Sequence, residues 1–333
     1  MRENRKLQTT GQIILFLLTV LTLSKAAWSD FTVFDVNFPP ETKKRVIVNS
    51  DAKNEADDQY AIVHAVLTPS FDLRGIIPAH FGTGKSATSM QDSHDETMKL
   101  LRLMNLEGKV RVEDGATHAI PDETTPVDSP GARLIIEEAM KDDTRPLHVA
   151  FYGPLTDMAS ALLLEPRIQD RNVRVIWIGG GAWPNGGREY NLSNDINAAN
   201  VVMKSNIEVW QVPRSTYRTM GVTYAELIEK VYPQGEIGKY LVEQLIAHNA
   251  KKSTAQEFRS LGDSPCIGII MDPECGRFSW RPAPTFDAQM HYLHTGQYRP
   301  IRVYENVKIR FIHEDFFIKL AQFNRRGSRD LKR

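Results

Sequence analysis

The residues best suited to chemistry form an acidic stretch within "VIVNSDAKNEADDQYAIVHAVL", residues 46 to 67. Asp51, Glu55, Asp57 and Asp58 fall within eight positions, between an apolar run and an amphipathic one. Two acids would be enough to cap a helix and interact with its dipole. Four carboxylates in so short a segment repel one another unless they are protonated, solvated or neutralised by a cation. The stretch therefore favours an oxygen-ligated metal ion over helix capping alone.

A second polar segment follows glycines in "WIGGGAWPNGGREYNLSNDINAANVV". The glycines turn the chain after an apolar run, and Glu189, Asn191 and Asp195 offer hydrogen-bonding groups for a hydroxylated ligand. A phosphate-binding loop is the weaker interpretation, because the spacing matches neither a P-loop nor a dinucleotide fingerprint. A similar break, Gly-Pro in "FYGPLTDMASALLLEPRI", separates another apolar run from a helical pattern.

Apolar, β-rich runs alternate with longer amphipathic segments over about 200 residues. The runs are RVIVNS, LRGIIPA, VRVEDG, LHVAFYG, VRVIWIGGG and IEVWQVP. Runs that are apolar on both faces indicate a buried parallel sheet, and parallel strands need crossover helices. The pattern predicts a doubly wound α/β fold with a mainly parallel central sheet and flanking helices. Ligands bind beyond the carboxyl ends of such strands, where the acidic stretch lies.

The alternation loosens after Ala250. There "GDSPCIGIIMDPECGRF" is typical of a Pro/Gly/Cys-rich insertion, and we expect a short helix near Asp287 and two terminal strands, YRPIRVY and VKIRFI. Cys266 and Cys275 both lie in the insertion. A local disulfide and two free thiols are equally open alternatives for them if the chain is exported.

The first 29 residues are typical of a secretory signal peptide: a basic start, an apolar stretch from Ile13 to Leu23, and small residues after it. An uncleaved anchor is the alternative, but the stretch is short for a membrane span, so we expect no stable membrane insertion after cleavage. We predict a secreted or periplasmic protein with one domain over residues 30–333. Because 41 Lys and Arg balance 41 Asp and Glu, nucleic acid is not expected as a partner.

The motifs together resemble those of the nucleoside hydrolases, which are calcium-dependent N-ribohydrolases. Their motifs run DxDPGxDD, GPLTN, GG…EFNxxxDPEAA and a late HDP. The counterparts here are NSDAKNEADD, GPLTDMASALLLEPRI, GGGAWPNGGREYNLSNDINAA and TFDAQ, so the resemblance covers residues 45–215 and the segment around Asp287. It implies Ca²⁺ as the cofactor, a nucleoside or related glycosyl compound as the substrate, and a homodimer or homotetramer, the assemblies common among related enzymes.

The resemblance also implies a set of metal ligands and a base. Asp51, Asp58, the main-chain carbonyl of Tyr152 and Asp287 match the calcium ligands, and Asp51 matches the aspartate that takes the proton from the attacking water. Such a calcium ion orients the water and lowers its pKa. Carboxylates near the sugar stabilise the positive charge that develops on the ring as the glycosidic bond breaks.

Sugar binding falls, by the same resemblance, to four residues. Asp57 matches a residue that holds a ribose hydroxyl, and Glu189 and Asn191 match the pair that grips the sugar's other hydroxyls. Asn185 replaces an asparagine from the same loop, which is shorter in this chain.

Three departures from the family's motifs set this chain apart. The segment DAKNEADD is two residues longer than the family's spacing, lacks its Pro-Gly and adds Glu55. Phe286 stands where many members have the histidine that protonates the leaving base; His80 and His291 are the candidates to replace it, although either is as a rule a structural or surface histidine. The asparagine that follows the second strand is not evident in PAHFGTG. Two alternatives stay open: a ribosyl- or carbohydrate-binding protein without turnover, and a hydrolase of O-linked sugars.

Overall fold

Six parallel strands and one antiparallel strand form the central sheet of the computed structural model, which describes residues 38–250 and 256–330. The predicted signal peptide lies outside the described residues, and the chain from Pro39 onward forms one compact unit. The strands are β1 Lys44–Ser50, β2 Phe71–Pro78, β3 Leu147–Phe151, β4 Val173–Ile178, β5 Glu208–Val212, β6 Gly221–Thr223, β7 Phe258–Ser260, β8 Phe278–Pro282, β9 Thr285–Phe286, β10 Tyr292–Leu293 and β11 Pro300–Tyr304.

The strand order in this sheet is β2-β1-β3-β4-β5-β11-β8, and only the β11–β8 pair is antiparallel. Helices connect the strands: α1 Asp58–Leu67, α2 Ser89–Leu103, α3 Pro130–Met140, α4 Thr156–Leu164, α5 Tyr190–Asn194, α6 Ile196–Lys204, α7 Arg214–Tyr217, α8 Tyr224–Lys230, α9 Gly235–Ala250, α10 Pro265–Met271 and α11 Ile309–Asp330. None of them is both long and apolar enough to cross a bilayer.

Strand β1 shows why the apolar runs form a buried sheet. Val46 and Val48 contribute to one apolar cluster, and Ile47 contributes to a second. Because successive side chains point to opposite faces of a strand, a run that is apolar throughout can bury both faces only between two layers of helices. The predicted doubly wound fold with a mainly parallel central sheet is confirmed.

Four local predictions need correction, and the fourth, a helix near Asp287, is described after the other three. The run VRVEDG forms only a single bridge, Ile76 to Val112. The run VKIRFI enters helix α11, because apolar residues recur at helical spacing beyond it and Ile312, Phe316 and Leu320 are all buried. The insertion contains helix α10.

Asp287 lies in the turn between β9 and β10 rather than in a helix. The Asn200 amide fixes this hairpin, since it accepts a hydrogen bond from the Phe286 N–H and donates one to the Phe286 carbonyl. Cys266 and Cys275 are both buried free thiols, so the local disulfide is not formed.

Candidate active site

The acidic stretch follows β1 directly, as the sequence predicts, and links that strand to helix α1. Asp51 is the first residue after the strand, and the Asn54 N–H donates to its carbonyl at 2.8 Å, closing a turn. Ser50 Oγ donates to Asp58 Oδ1 at 2.6 Å across the loop. The last residue of the strand and the first residue of the helix therefore hold the Asp58 carboxyl in place.

Strand β3 ends beside Asp51, and the Gly-Pro break explains how the two approach each other. A Cβ atom on Gly153 would lie 3.0 Å from the Asp51 carboxyl carbon, so a larger residue would collide with the carboxyl group. The preceding residue, Tyr152, donates its N–H to the Asn49 carbonyl, which continues the strand pairing to the edge of the site.

Asp263, just before helix α10, completes the acidic cluster formed by Asp51, Asp57, Asp58 and Asp263. Asp57, Asp58 and Asp263 each bring one carboxyl oxygen within 4.8 Å of the others, and Asp58 shares a hydrogen bond with Asp263. All four side chains are buried. A hydrogen bond between two carboxyl groups needs a proton, so without a cation this pair is not fully ionised.

Burial is the main cause of the raised pKa values in the acidic cluster. It raises the pKa of Asp58 to about 8, assisted by the charge of Asp57 and opposed by hydrogen bonds from Ser50 and Asp263. Burial and the charge of Glu55 raise the pKa of Asp57 to about 6, against the nearby Arg259. The pKa values of Asp51 and Asp263 are also raised well above the usual range, first by burial and then by the neighbouring acids.

A bound cation would reverse these shifts, because a positive charge favours the ionised carboxylates. The donors are all oxygen atoms, which suits a hard divalent ion. The acidic cluster therefore fits a metal ion.

The acidic cluster lies in a cavity of about 360 Å³. Six carboxyl groups and four guanidinium groups line it, together with tyrosine, asparagine and main-chain groups. The lining residues are Asp51, Asn54, Glu55, Asp57, Asp58, Tyr152, Ile178, Arg188, Glu189, Tyr190, Asn191, Arg214, Tyr217, Arg218, Arg259, Ser260, Gly262 and Asp263. A volume of this size is within the range of small-molecule sites.

Asn191 links the acidic cluster to the glycine-rich loop after β4. Its amide nitrogen donates to the carbonyls of Tyr152 and Ile178, both at 2.8 Å. These bonds use both amide hydrogens, so only Oδ1 of Asn191 can accept a further bond from a ligand. Asn191 thus positions the Tyr152 carbonyl, which is one of the predicted metal ligands.

The carboxylate of Glu189 has fewer free acceptor sites than the Asn191 amide, because it already accepts four hydrogen bonds. Its Oε1 accepts from the Tyr217 hydroxyl at 2.9 Å and from the Asn191 N–H at 3.2 Å. Its Oε2 accepts from the N–H groups of Gly180 and Leu192, both at 2.9 Å. Four bonds fill the acceptor sites of a carboxylate. Glu189 therefore caps helix α5 and reaches a sugar hydroxyl only if Tyr217 moves.

The model of the inosine-uridine preferring nucleoside hydrolase family matches residues 46–306, most of the described chain. This chain belongs to that family. It is accordingly a hydrolase of N-glycosyl compounds, and its family supports hydrolysis of nucleosides. Membership favours the hydrolase over the alternative of a binding protein without turnover.

Individual relatives of this nucleoside hydrolase are distant. The probable uridine nucleosidase 2 of Arabidopsis thaliana is 22% identical over 249 residues, which cover 66% of this chain and 74% of that protein. The inosine-uridine preferring nucleoside hydrolase of Crithidia fasciculata is 35% identical over 119 residues, only 34% of this chain and 37% of that enzyme. The solved purine-preferring ribonucleoside hydrolase from Gardnerella vaginalis superposes with a TM-score of 0.70 at 19% identity, covering 84% of this chain and 99% of that one, which supports the fold.

The structure does not bring Asp287, a predicted metal ligand, to the acidic cluster; Asp263 lies there instead. Asp287 does not line the cavity, and its carboxylate accepts bonds from the main-chain N–H groups of Gln289 and His291. His291, 59% exposed, approaches the same carboxylate at 3.0 Å. Asn185 is exposed and contributes its carbonyl to the Tyr292 N–H rather than its amide to the cavity.

His80 cannot act as the leaving-group acid, because both of its ring nitrogens are engaged. Thr156 donates to Asp195, so Nε2 of His80 must donate to the Thr156 hydroxyl at 2.8 Å. Nδ1 of His80 accepts from the Gly82 N–H at 3.2 Å. Burial, assisted by His118, lowers its pKa to about 4, which keeps the ring neutral. Asp195 is likewise structural, since it caps helix α6.

The sequence around Asp263 contains a helix-start pattern that could have identified this residue. The composition of the segment instead favours its interpretation as a Pro/Gly/Cys-rich insertion. In "GDSPCIG", Pro265 is the first helical residue and an apolar run follows, a pattern typical of a helix start. The segment also resembles the family's late HDP, because a proline lies two residues after its aspartate, with Ser264 between them, whereas no proline follows the aspartate of TFDAQ.

Gly262 then stands where the family has histidine. A Cβ atom there would lie 3.1 Å from Tyr217 and 3.2 Å from Asp57, so a side chain at this position would require both neighbours to shift. Within the described residues, no histidine lines the cavity.

Proposed function

We propose that this nucleoside hydrolase cleaves the N-glycosidic bond of a ribonucleoside with one calcium ion held by Asp51, Asp58, Asp263 and the carbonyl of Tyr152. One observation carries the proposal: four buried carboxyl groups meet at the carboxyl edge of the sheet with too few cations around them. Calcium prefers six to eight oxygen ligands, which leaves positions for sugar hydroxyls and water. When bound, the ion would orient and acidify a water molecule.

Asp51 is the residue that we propose accepts the proton of that water. Its carboxyl group lies against Gly153, whose lack of a side chain permits this close approach. Lys85 acts in the same direction as a bound cation, since its charge lowers the Asp51 pKa. The ionised carboxylate is the form that can take a proton. Asp57 and Oδ1 of Asn191 are the groups that we propose hold sugar hydroxyls.

Within the part of the chain that the structure describes, the cavity offers no evident general acid to protonate the leaving base. No histidine lines the cavity among the described residues, and the Tyr190 hydroxyl already donates to the Phe81 carbonyl. Burial raises the Tyr190 pKa to about 12, so it is also a weak acid. General acid catalysis typically supplies 10²–10⁴-fold. We therefore expect slow cleavage of inosine and much faster cleavage of p-nitrophenyl riboside, whose leaving group needs no proton.

Export is the remaining part of the proposal. The first 29 residues favour a secreted or periplasmic protein that scavenges nucleosides outside the cytoplasm. Assembly as a homodimer or homotetramer stays a prediction from the resemblance.

The test is a product screen with the purified chain in calcium buffer. Uridine and inosine, suggested by the names of the relatives, are compared with p-nitrophenyl riboside and a panel of oligosaccharides, and released ribose, base or reducing ends are measured. The Asp51→Asn variant, purified in parallel, gives the background from contaminating enzymes. Release of ribose and base by the wild-type chain alone is the expected result. Reducing ends from oligosaccharides, with every riboside intact, would contradict the proposal.

A further inference from the structure

Within the described parts of the chain, three of the guanidinium groups in the cavity form no ion pair with the acidic cluster. Arg188 comes from the loop after β4, and Arg214 and Arg218 come from the segment after β5. The fourth, Arg259, is the one that pairs with the acids, through Glu55 and Asp57. Among the described residues, no carboxylate forms an ion pair with Arg188, Arg214 or Arg218.

Main-chain contacts hold two of these three arginines together. Arg214 Nη1 donates to the Arg188 carbonyl at 2.9 Å, and the Arg214 N–H donates to the Gly180 carbonyl at the same distance. Tyr217 lies between Arg214 and Arg218 in sequence. Burial and Glu189 raise the pKa of Tyr217, and the charges of both arginines act against that shift, which places them near the phenol.

The free groups at this end of the cavity are therefore hydrogen-bond donors. Glu189 is filled by four donors, one of which is Tyr217. A guanidinium group has five N–H donors and no acceptor. A ligand group that only accepts, and that carries negative charge, matches this surface better than a sugar hydroxyl does. Arginine binds phosphate and carboxylate oxygens through two parallel bonds.

We propose that the substrate of this site is a ribosyl compound bearing an oxyanion, a phosphoryl or carboxylate group, which Arg188, Arg214 and Arg218 bind. The inference rests on the proposed nucleoside hydrolysis and names its substrate class. The oxyanion has two possible sources: a phosphate on the sugar, as in a nucleoside 5′-monophosphate, or an acidic base, as in orotidine. Three positive charges suit the nearly double charge of a phosphate.

The experiment compares kcat/KM for uridine, uridine 5′-monophosphate and orotidine, in the wild type and in Arg188→Gln and Arg218→Gln. We expect one anionic substrate to exceed uridine by at least about 100-fold, and each substitution to reduce that ratio by roughly tenfold, the effect of losing one charge-assisted hydrogen bond. Arg310→Gln is the matched control, because Arg310 is exposed in helix α11 and outside the cavity lining. It should leave the ratio unchanged.

A second readout does not depend on turnover. Calorimetry on the metal-free full chain compares ribose 5-phosphate with ribose, so that no phosphate–metal contact contributes. Tighter binding of the phosphate that is lost in Arg218→Gln supports the inference, even if no nucleoside is cleaved and the proposed function fails. Preference for orotidine alone, lost in the same variants, supports it with a carboxylate on the base. Cleavage of uridine without preference for either anion, and equal binding of both sugars, would overturn it while leaving nucleoside hydrolysis intact.

Discussion

The two ends of strand β1 hold buried carboxyl groups in opposite electrostatic states. At the amino end, Glu138 accepts hydrogen bonds from Arg45 at 2.9 Å and from Arg74 at 3.0 Å, and Lys141 is paired with it as well. Burial alone would raise the pKa of Glu138, but the hydrogen bonds from these three cations lower it to about 2. At the carboxyl end, burial and the neighbouring acids raise the pKa values of the acidic cluster, and the charges of Arg259 and Lys85 do not offset them.

This difference in charge balance separates a carboxylate that stabilises the fold from carboxyl groups that are suited to bind a cation. Glu138 is balanced by the protein's own side chains, so its ionisation stabilises the fold. The acidic cluster is left short of positive charge, which is costly unless an external cation binds. Residue type alone does not separate the two cases, since both are acids buried beside the same strand.

The largest expected effect is at the carboxyl end. Asp51→Asn keeps the shape of the side chain but cannot accept the water's proton, so we expect kcat on the best substrate to fall by roughly 10³-fold. Circular dichroism should show an unchanged fold. Asp58→Asn is the comparison: added calcium should recover much of its activity but not that of Asp51→Asn. Wild-type turnover by Asp51→Asn would remove Asp51 from the role of base.

Glu138→Gln tests the amino end. It leaves Arg45, which is 3% exposed, without its buried partner, and we expect a loss of about 3 kcal/mol in the free energy of unfolding. Urea denaturation gives that value, while kcat per folded molecule should not change. A loss under about 0.5 kcal/mol, the size of a surface substitution, would show that the two ends differ less than we infer.

The pH dependence of calcium stabilisation is the next effect in size. The folded pKa values of Asp57 and Asp58, about 6 and about 8, exceed the unfolded value of 3.8. The folded state therefore binds more protons, and metal-free stability present below about pH 4 is lost as the pH rises through these values. Calcium needs the ionised carboxylates, so it should raise the melting temperature more at pH 8 than at pH 5.

The melting temperatures with calcium and with chelator should be measured across this pH range. Calcium at a hundred times its dissociation constant adds about 2.7 kcal/mol. Buried histidines titrate equally in both samples and cancel in the difference. Asp58→Asn should flatten the pH profile of the difference. A calcium effect that is constant from pH 5 to pH 8 would contradict the raised pKa values.

The smallest effect is expected at two residues that the sequence predicts for the site but that lie outside the cavity. Asp287→Asn and His291→Ala should leave kcat/KM and calcium affinity within about twofold of the wild type, because surface substitutions of this kind usually change little. A tenfold loss in either variant would mean that the β9–β10 hairpin closes over the cavity during turnover.

Much of the fold could be predicted from the sequence, and six of the ten predicted site residues line the cavity. Runs that are apolar on both faces and acids at a strand end are features of local sequence, so β1 and the position of Asp51, Asp57 and Asp58 just beyond it could be predicted. Asp263 was missed because its position beside the other acids depends on the tertiary placement of helix α10, far along the chain. The position of Asp287 outside the cavity could not be predicted, because an aspartate in a short motif carries no information about which sheet edge it reaches.

The sequence also could not predict which hydrogen-bonding atoms of a site residue remain available to a ligand. Glu189 is in the expected place, but its four donors come partly from Tyr217, a contact between separate loops. The charge state of the acidic cluster likewise depends on how many cations fold back onto it.

Calorimetric titration of calcium into the chelator-treated chain, in two buffers of different ionisation enthalpy near pH 7, tests the central claim most directly. We expect one ion per chain and the release of about one proton, since the carboxyl pair of Asp58 and Asp263 must give up its proton when the metal binds. Absence of binding by folded protein that is confirmed metal-free, or binding with no proton released, would contradict the account.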